Sequence, residues 1–289
     1  MSLRRAPVRL ALVALAAAWT ACAHNPQASR GRVVRGVEPD SVTSGLWRMD
    51  ESVGTRVADA GPFRLDGIAG VDTRTDFGRV GRARIFTASV NSFVLVPYSS
   101  VLEAGGAFTI EAWIDPTELG RYEDTPIAAR WTPEALQNSW MLSLVGESSP
   151  LPNQPGPGDH VSLIQFGSAG KLMFAFAPEE AGAPRAFFSN RTIELGRWTH
   201  VAVTYDGQVV RIFLNDVLDA QYASPGRVRA SQSPLVIGNY LDPRWLSAFS
   251  GDLKVGPSVD QYPYYAFVGM IDDLRISSVA RPDFPYARL

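Results

Sequence analysis

From about residue 44 onward, apolar and polar residues alternate in short runs separated by Gly, Pro, Asn and Asp. A period of two sends successive side chains to opposite faces, so these runs predict antiparallel strands with one face in a core and the other in water. The clearest are 93–96, 108–114, 172–176 and 209–214. In the second of these, Phe108, Ile110, Ala112 and Ile114 share one face, and Thr109, Glu111 and Trp113 share the other. Pro116 is expected to end that strand. Asp206-Gly207 lies between two runs and supplies a pair that tolerates positive φ in a tight hairpin turn, and Asn215-Asp216 ends the next run in the same manner. No window of a dozen residues beyond the amino-terminal leader keeps a helical period. Strands joined by short turns must bury their apolar faces against a second sheet. The expected fold is therefore all-β, an antiparallel two-sheet sandwich of roughly a dozen strands.

The amino terminus has a different pattern. Arg4, Arg5 and Arg9 flank an apolar run, 10–18, that is too short to cross about 30 Å of hydrocarbon and reads as a signal peptide over 1–21. The run ends in Trp19-Thr20-Ala21-Cys22, which resembles a bacterial lipobox with Trp19 where an aliphatic residue is usual. Lipidation at Cys22 is the expectation, and simple cleavage near Ala21 or Ala23 is the alternative. Cys22 is the only cysteine, so the chain forms no internal disulfide and no cysteine-based metal site. A polar tether is expected over 22–43, where Pro26, Gly31, Gly36 and Pro39 interrupt any hydrophobic period, followed by a domain over 44–280 and a tail over 281–289. Export follows under either reading. With lipid at Cys22 the acyl chains are the sole membrane contact, and Ala23 in place of Asp favours the outer membrane.

Composition changes little in this picture. An apolar content of 46% with 19% charged residues places the chain among globular proteins, and a net charge of −2 offers no basic face for nucleic acid. No internal repeat is present, and a monomer is expected. Two stretches are longer than a strand connection needs, 147–160 with Pro150, Pro152, Pro155 and Pro157, and 241–266.

The order of motifs resembles the laminin G-like branch of the concanavalin A-like lectin/glucanase jelly rolls, over nearly all of 44–279. It begins with Leu46-Trp47-Arg48-Met49-Asp50-Glu51, Val57-Ala58-Asp59 and Asp66-Gly67. Then come Gly78-Arg79-Val80-Gly81-Arg82-Ala83 with Phe86, the 93–97 run and the Phe108-Thr109-Ile110-Glu111-Ala112-Trp113-Ile114 strand. It continues through Trp198-Thr199-His200-Val201-Ala202-Val203-Thr204-Tyr205-Asp206-Gly207, Leu214-Asn215 and Ile237-Gly238. It closes on Phe267-Val268-Gly269-Met270-Ile271-Asp272-Asp273-Leu274-Arg275-Ile276. Pro62-Phe63 and the long segment before Phe267 depart from the family pattern. The resemblance implies two curved antiparallel sheets with the first and last strands as neighbours. It leaves the activity open, because the fold carries lectins, adhesion modules, glycan hydrolases and spacers.

Hydrolases of this fold set two or more carboxylates on one strand, since acid and nucleophile must flank one glycosidic bond about 5–5.5 Å apart. That pattern is missing here. Glu111 and Asp115 share a face, and Glu111 is expected to be a solvated or lightly paired carboxylate. His24, His160 and His200 are too scattered for nucleophilic catalysis or a His-based metal site. The expectation is a non-catalytic module, with a glycoside hydrolase or a purely structural envelope protein as alternatives. The resemblance also implies calcium between the start of the domain and its last strand, with Asp50 and Asp272 as ligands and Asp59 as a weaker one. Candidate ligand-binding residues for a glycan or an extracellular protein are Trp113 beside Glu111 on the wet face, and Trp245, Tyr262, Tyr264 and Tyr265 in the long connector.

Overall fold

The structure, a computed structural model, describes residues 36–120, 125–131, 138–147, 168–180, 182–239 and 266–287, with 246–249 and 252–255 described by their backbone alone. The described residues are β throughout apart from two short 3-10 turns. In chain order the strands are β1 Thr43–Trp47, β2 Arg56–Val57, β3 Gly67–Ala69, β4 Arg74–Phe77, β5 Arg82–Phe86 and β6 Val94–Val96. Then come β7 Phe108–Glu118, β8 Thr125–Arg130, β9 Trp140–Leu144, β10 Lys171–Phe176, β11 Arg185–Thr192 and β12 Thr199–Tyr205. The last are β13 Val209–Leu214, β14 Val217–Ala223, β15 Leu235–Ile237, β16 Leu246–Phe249, β17 Asp252–Val255 and β18 Val268–Ser277.

Two eight-stranded antiparallel sheets form the sandwich. The first runs β14-β13-β12-β7-β18-β5-β4 with β1 also on β18, and the second runs β11-β10-β9-β8-β15-β6-β3-β2. The first and last strands are neighbours, as the resemblance implies, with Gly45 opposite Ile276 and Trp47 opposite Leu274. The 215–216 turn is a two-residue hairpin, and both of its residues have positive φ, 53° and 62°.

Alternation explains the core. Ile110, Ala112 and Ile114 from β7, Val201 and Val203 from β12, and Ile271, Leu274 and Ile276 from β18 meet Trp140, Leu142, Phe174 and Phe176 of the second sheet. Burying each Ile, Leu, Val or Phe side chain among them stabilises the fold by about 1.5–3 kcal/mol. β7 does not stop at Pro116. It runs on to Glu118, because Pro116 falls opposite Gly269 where the register with β18 shifts, and its carbonyl still accepts from Gly196 N.

Both ends of the domain extend past the boundaries the sequence pattern suggests. Val37, expected in the tether, is fully buried and its N–H donates to Asp273 Oδ2 at 2.9 Å, while the Glu38 carbonyl accepts from Arg275. Arg281, expected to open a tail, makes two hydrogen bonds to the Asp40 carboxylate at 2.7 and 2.8 Å. Beyond it, Phe284 and Ala287 are fully buried. Neither segment has a hydrophobic period, because each docks through one or two side chains.

Candidate functional site

The outer face of the first sheet carries Glu111 and Trp113 from β7, His200 and Ala202 from β12, Phe213 from β13 and Arg275 from β18. In register, His200 and Asp272 lie on either side of Trp113, and Arg275 lies opposite Glu111. This face is covered. Phe284 and Ala287 pack with Trp113, Ala202 and Phe213 in an apolar cluster flanked by Trp198 and Tyr286. The Phe284 ring lies 5.3 Å from both His200 and Phe213.

Glu111 is the hub of this face. Arg275 Nε donates to its Oε1 at 2.7 Å, His200 Nε2 lies 3.0 Å from its Oε2, and the Tyr286 hydroxyl donates to Oε2. Arg275 Nη2 in turn donates to the Tyr286 hydroxyl at 2.7 Å. Burial alone would raise the Glu111 carboxyl, but hydrogen bonding and charge from His200, the Arg275 charge and the Tyr286 hydroxyl together hold it below its ordinary range. Burial and the neighbouring Glu111 raise the Tyr286 phenol. Expected on a wet face, Glu111 and Trp113 are instead both fully buried, because residues far along the chain close over them. The Trp113 ring sits beneath the Arg79 guanidinium at 4.8 Å and edge-on to His200 at 5.3 Å. Trp113 Nε1 and His200 Nδ1 have no hydrogen-bond partner.

A second group of carboxylates lies along β18 and the 78–81 turn. Asp272 Oδ2 accepts from Val80 N at 2.8 Å, and Asp50 Oδ1 accepts from Arg82 N at 2.7 Å. The two aspartates thus hold the interior and the exit of a turn closed by Gly78 N and the Gly81 carbonyl. A Cβ on Gly78 would sit 2.6 Å from Asp272 Oδ2, and one on Gly81 2.4 Å from Asp50 Oδ1, so both positions exclude a side chain. Asp273 occupies a bulge with φ of 47° and is nine-tenths or more buried, with Arg48 Nη1 at 3.7 Å from its Oδ1.

Positive charge is scarce in this group. Burial, reinforced by Asp273 and Asp50, pushes the Asp272 carboxyl up to about 8. Burial also lifts Asp273 to about 6, against the hydrogen bond from Val37 and the charge of Arg48. Asp272 Oδ1 is buried with no donor.

Asp59 does not join these two. Its carboxylate accepts from Leu46 N, Gly61 N and Leu65 N at 2.7–2.8 Å, bracing β1 against the following loop, and this satisfies it as a structural acceptor. Among the described residues no three His, Cys, Asp or Glu side chains converge on one metal-holding point. Asp115, on the Glu111 face, keeps one oxygen unpartnered, and burial raises its carboxyl. Trp131 and Trp140, which pattern alone places near irregular chain, are buried at the end of β8 and the start of β9. Cys22, Trp245, Tyr262, Tyr264 and Tyr265 lie outside the described residues.

The sequence pattern gives Arg275, Asp273, Phe284 and Tyr286 no role and weighs His200 only for catalysis or metal binding. His200, Asp273 and Arg275 stand within the family-like motifs, and on register His200 and Arg275 share the Glu111 face. Nothing in 281–287 signals contact with β7.

A comparison with curated proteins finds no match. Among solved structures, the binding domain of Paraclostridial Mosquitocidal Protein 1 is similar with a TM-score of 0.53 at 13% identity, over 83% of this chain and 49% of that one. The botulinum neurotoxin serotype G binding domain gives 0.54 at 12%, over 83% and 48%. The chain therefore spans about half the length of these toxin domains. Domain 4 of AbnA, a GH43 extracellular arabinanase from Geobacillus stearothermophilus in complex with arabinotriose, gives 0.51 at 19%, over 82% of this chain and 93% of that one. At these identities the likeness is one of fold. The Laminin_G_3 profile, of the concanavalin A-like lectin/glucanases superfamily, matches residues 88–283, more than half of the chain. With two antiparallel sheets and paired first and last strands, this chain belongs to that family.

Proposed function

We propose that the protein is an exported recognition module that binds carbohydrate and does not hydrolyse it. The state of Glu111 carries this reading. A glycosidase needs two carboxyl groups free to flank a sugar linkage, whereas the Glu111 carboxylate is ion-paired with Arg275 and bonded to His200, both from neighbouring strands of its own sheet. A neighbour in fold that aligns over 93% of its own length holds arabinotriose, which supports the oligosaccharide class. The neurotoxin neighbours are binding domains as well. In this reading the chain is anchored in the cell envelope through lipid at Cys22. Intact mass of the mature protein checks that anchor: an amino terminus elsewhere, without acyl mass, removes it.

Calcium belongs to the same proposal. A hard cation takes oxygen ligands and relieves repulsion between carboxylates. Asp272 offers a buried oxygen with no donor, and Asp50 adds its charge from the rim. These two residues would hold the ion, with backbone carbonyls completing the shell, and the ion would tie the start of the domain to β18. The functional test is an oligosaccharide array with arabinotriose included, run with calcium and with chelator, followed by incubation of each bound sugar to look for cleavage. Binding without cleavage is expected. Cleavage of a bound sugar, or no binding to any sugar, overturns the reading.

A further inference from the structure

The groups beneath residues 282–287 are an unusual choice for holding a segment in place. Trp113, Ala202 and Phe213 supply an apolar floor, but Glu111, His200 and Arg275 share it, and all three are nine-tenths or more buried. Buried ionic groups hold a contact no better than well-packed apolar residues of similar size, so fastening alone does not call for them.

We propose that 282–287 is a strap lying in a recognition groove for hydroxyl-rich ligands of the oligosaccharide class, and that Tyr286 occupies that groove as an internal stand-in for a ligand hydroxyl. The Tyr286 hydroxyl donates to the Glu111 carboxylate while accepting from Arg275 Nη2. This double role is the one a sugar hydroxyl plays between an acceptor and a donor. Phe284 fills the apolar part against Phe213 and His200. The strap does not satisfy the groove completely, since Trp113 Nε1 and His200 Nδ1 are buried without partners, one a donor and the other a donor or acceptor by tautomer. A ligand with several hydroxyls has groups for both. The proposal rests on the carbohydrate reading for its ligand class and on the strap geometry for its place.

Opening is read without any ligand, by thiol labelling. In a Cys22→Ser chain, Ala287→Cys places the sole thiol on the buried side of the strap itself, and Ala128→Cys places it in the sandwich core, both at fully buried positions. A strap that lifts by itself labels at Ala287 roughly 100-fold faster than at Ala128 and with weaker denaturant dependence, as a local opening does. Equal rates with equal denaturant dependence overturn the strap.

Calorimetry with xylotriose, cellotriose and maltotriose then tests the groove on the wild type and on Tyr286→Phe, which keeps the ring and removes the competing hydroxyl. Any trisaccharide that binds should bind Tyr286→Phe roughly tenfold more tightly, because a weaker strap leaves more of the competent form. The same sugar should accelerate labelling at Ala287. Binding with unchanged labelling overturns the groove as the site. No heat with any sugar on either protein overturns the carbohydrate class, and the labelling ratio still decides the strap by itself.

Discussion

Two groups of carboxylates centre on buried residues of the first sheet, Glu111 and Asp272, and they solve the problem of buried charge in opposite ways. Around Glu111 a single carboxylate meets a guanidinium, an imidazole and a phenol, and its carboxyl is held below the ordinary range. Around Asp272 there are three carboxylates, Asp50, Asp272 and Asp273, and the nearest ion-pair partner is Arg48, at 3.7 Å from Asp273. There the carboxyls are pushed up to about 8 and about 6. The first group is complete within the chain. The second has one guanidinium, Arg48, for three carboxylates. Buried polar groups left unsatisfied in a native fold call for an explanation beyond packing.

The largest expected effect breaks the complete group. Glu111→Leu leaves Arg275 buried without its counter-ion, which costs about 3–5 kcal/mol and lowers Tm by roughly 10 °C. Adding Arg275→Met to the same chain should recover most of that loss, since an apolar pair of similar volume replaces a desolvated ion pair at little net cost. Thermal and urea unfolding of the single and double variants measure both. A loss below about 1 kcal/mol for Glu111→Leu contradicts the hub.

How far these groups were legible in the sequence depends on the element. The period of two in β7 places Ile110, Ala112 and Ile114 in the core and Glu111 and Trp113 on the opposite face, as observed. Alternation tells which face a residue takes and says nothing about what lies over that face. The cover comes from Phe284 and Tyr286, 175 residues beyond Glu111 for the Tyr286 contact, in a segment with no period of its own. Asp272 was legible from its motif, whereas the burial of Asp273 beside it depends on a bulge with positive φ that breaks alternation locally. The bracing role of Asp59 was not legible, because a carboxylate that serves three backbone N–H groups looks the same in sequence as one that serves an ion.

The next effect concerns the incomplete group. Calcium bound only by the folded domain stabilises it by about 2.7 kcal/mol at a free concentration 100 times Kd. Excess chelator should therefore lower the wild-type Tm, and Asp272→Asn should abolish the response. Asp59→Ala should lower Tm in both conditions and keep the response, because the Asp59 carboxylate braces three backbone N–H groups. A wild-type Tm indifferent to chelator, with no calcium found by elemental analysis, refutes the site.

The smallest effect is a pH slope, and its sign separates the two groups. The folded domain raises Asp272 from 3.8 to about 8 and Asp273 from 3.8 to about 6, so it keeps protons that the unfolded chain releases. Between about pH 4 and pH 8 the unfolded chain binds fewer protons, and stability falls as pH rises through that window. Glu111 acts in the opposite direction, because its lowered carboxyl stabilises the fold above the ordinary value of 4.5 and loses that contribution as pH falls through the folded value. From mildly acid to mildly alkaline pH the aspartates therefore set the slope. In chelator the domain should melt higher at about pH 5.5 than at pH 8, by about 2–4 °C for each kcal/mol of linkage. Asp272→Asn removes a carboxyl that the fold must hold protonated or charged at a cost, so it should raise Tm at both pH values, more at pH 8 than at pH 5.5, and flatten the slope. Calcium should flatten the wild-type slope too, since the ion does for the carboxylates what the proton does at lower pH. A metal-free Tm that climbs with pH across this window would mean that Asp272 and Asp273 are paired in solution as fully as Glu111 is, and the contrast between the two groups would be lost.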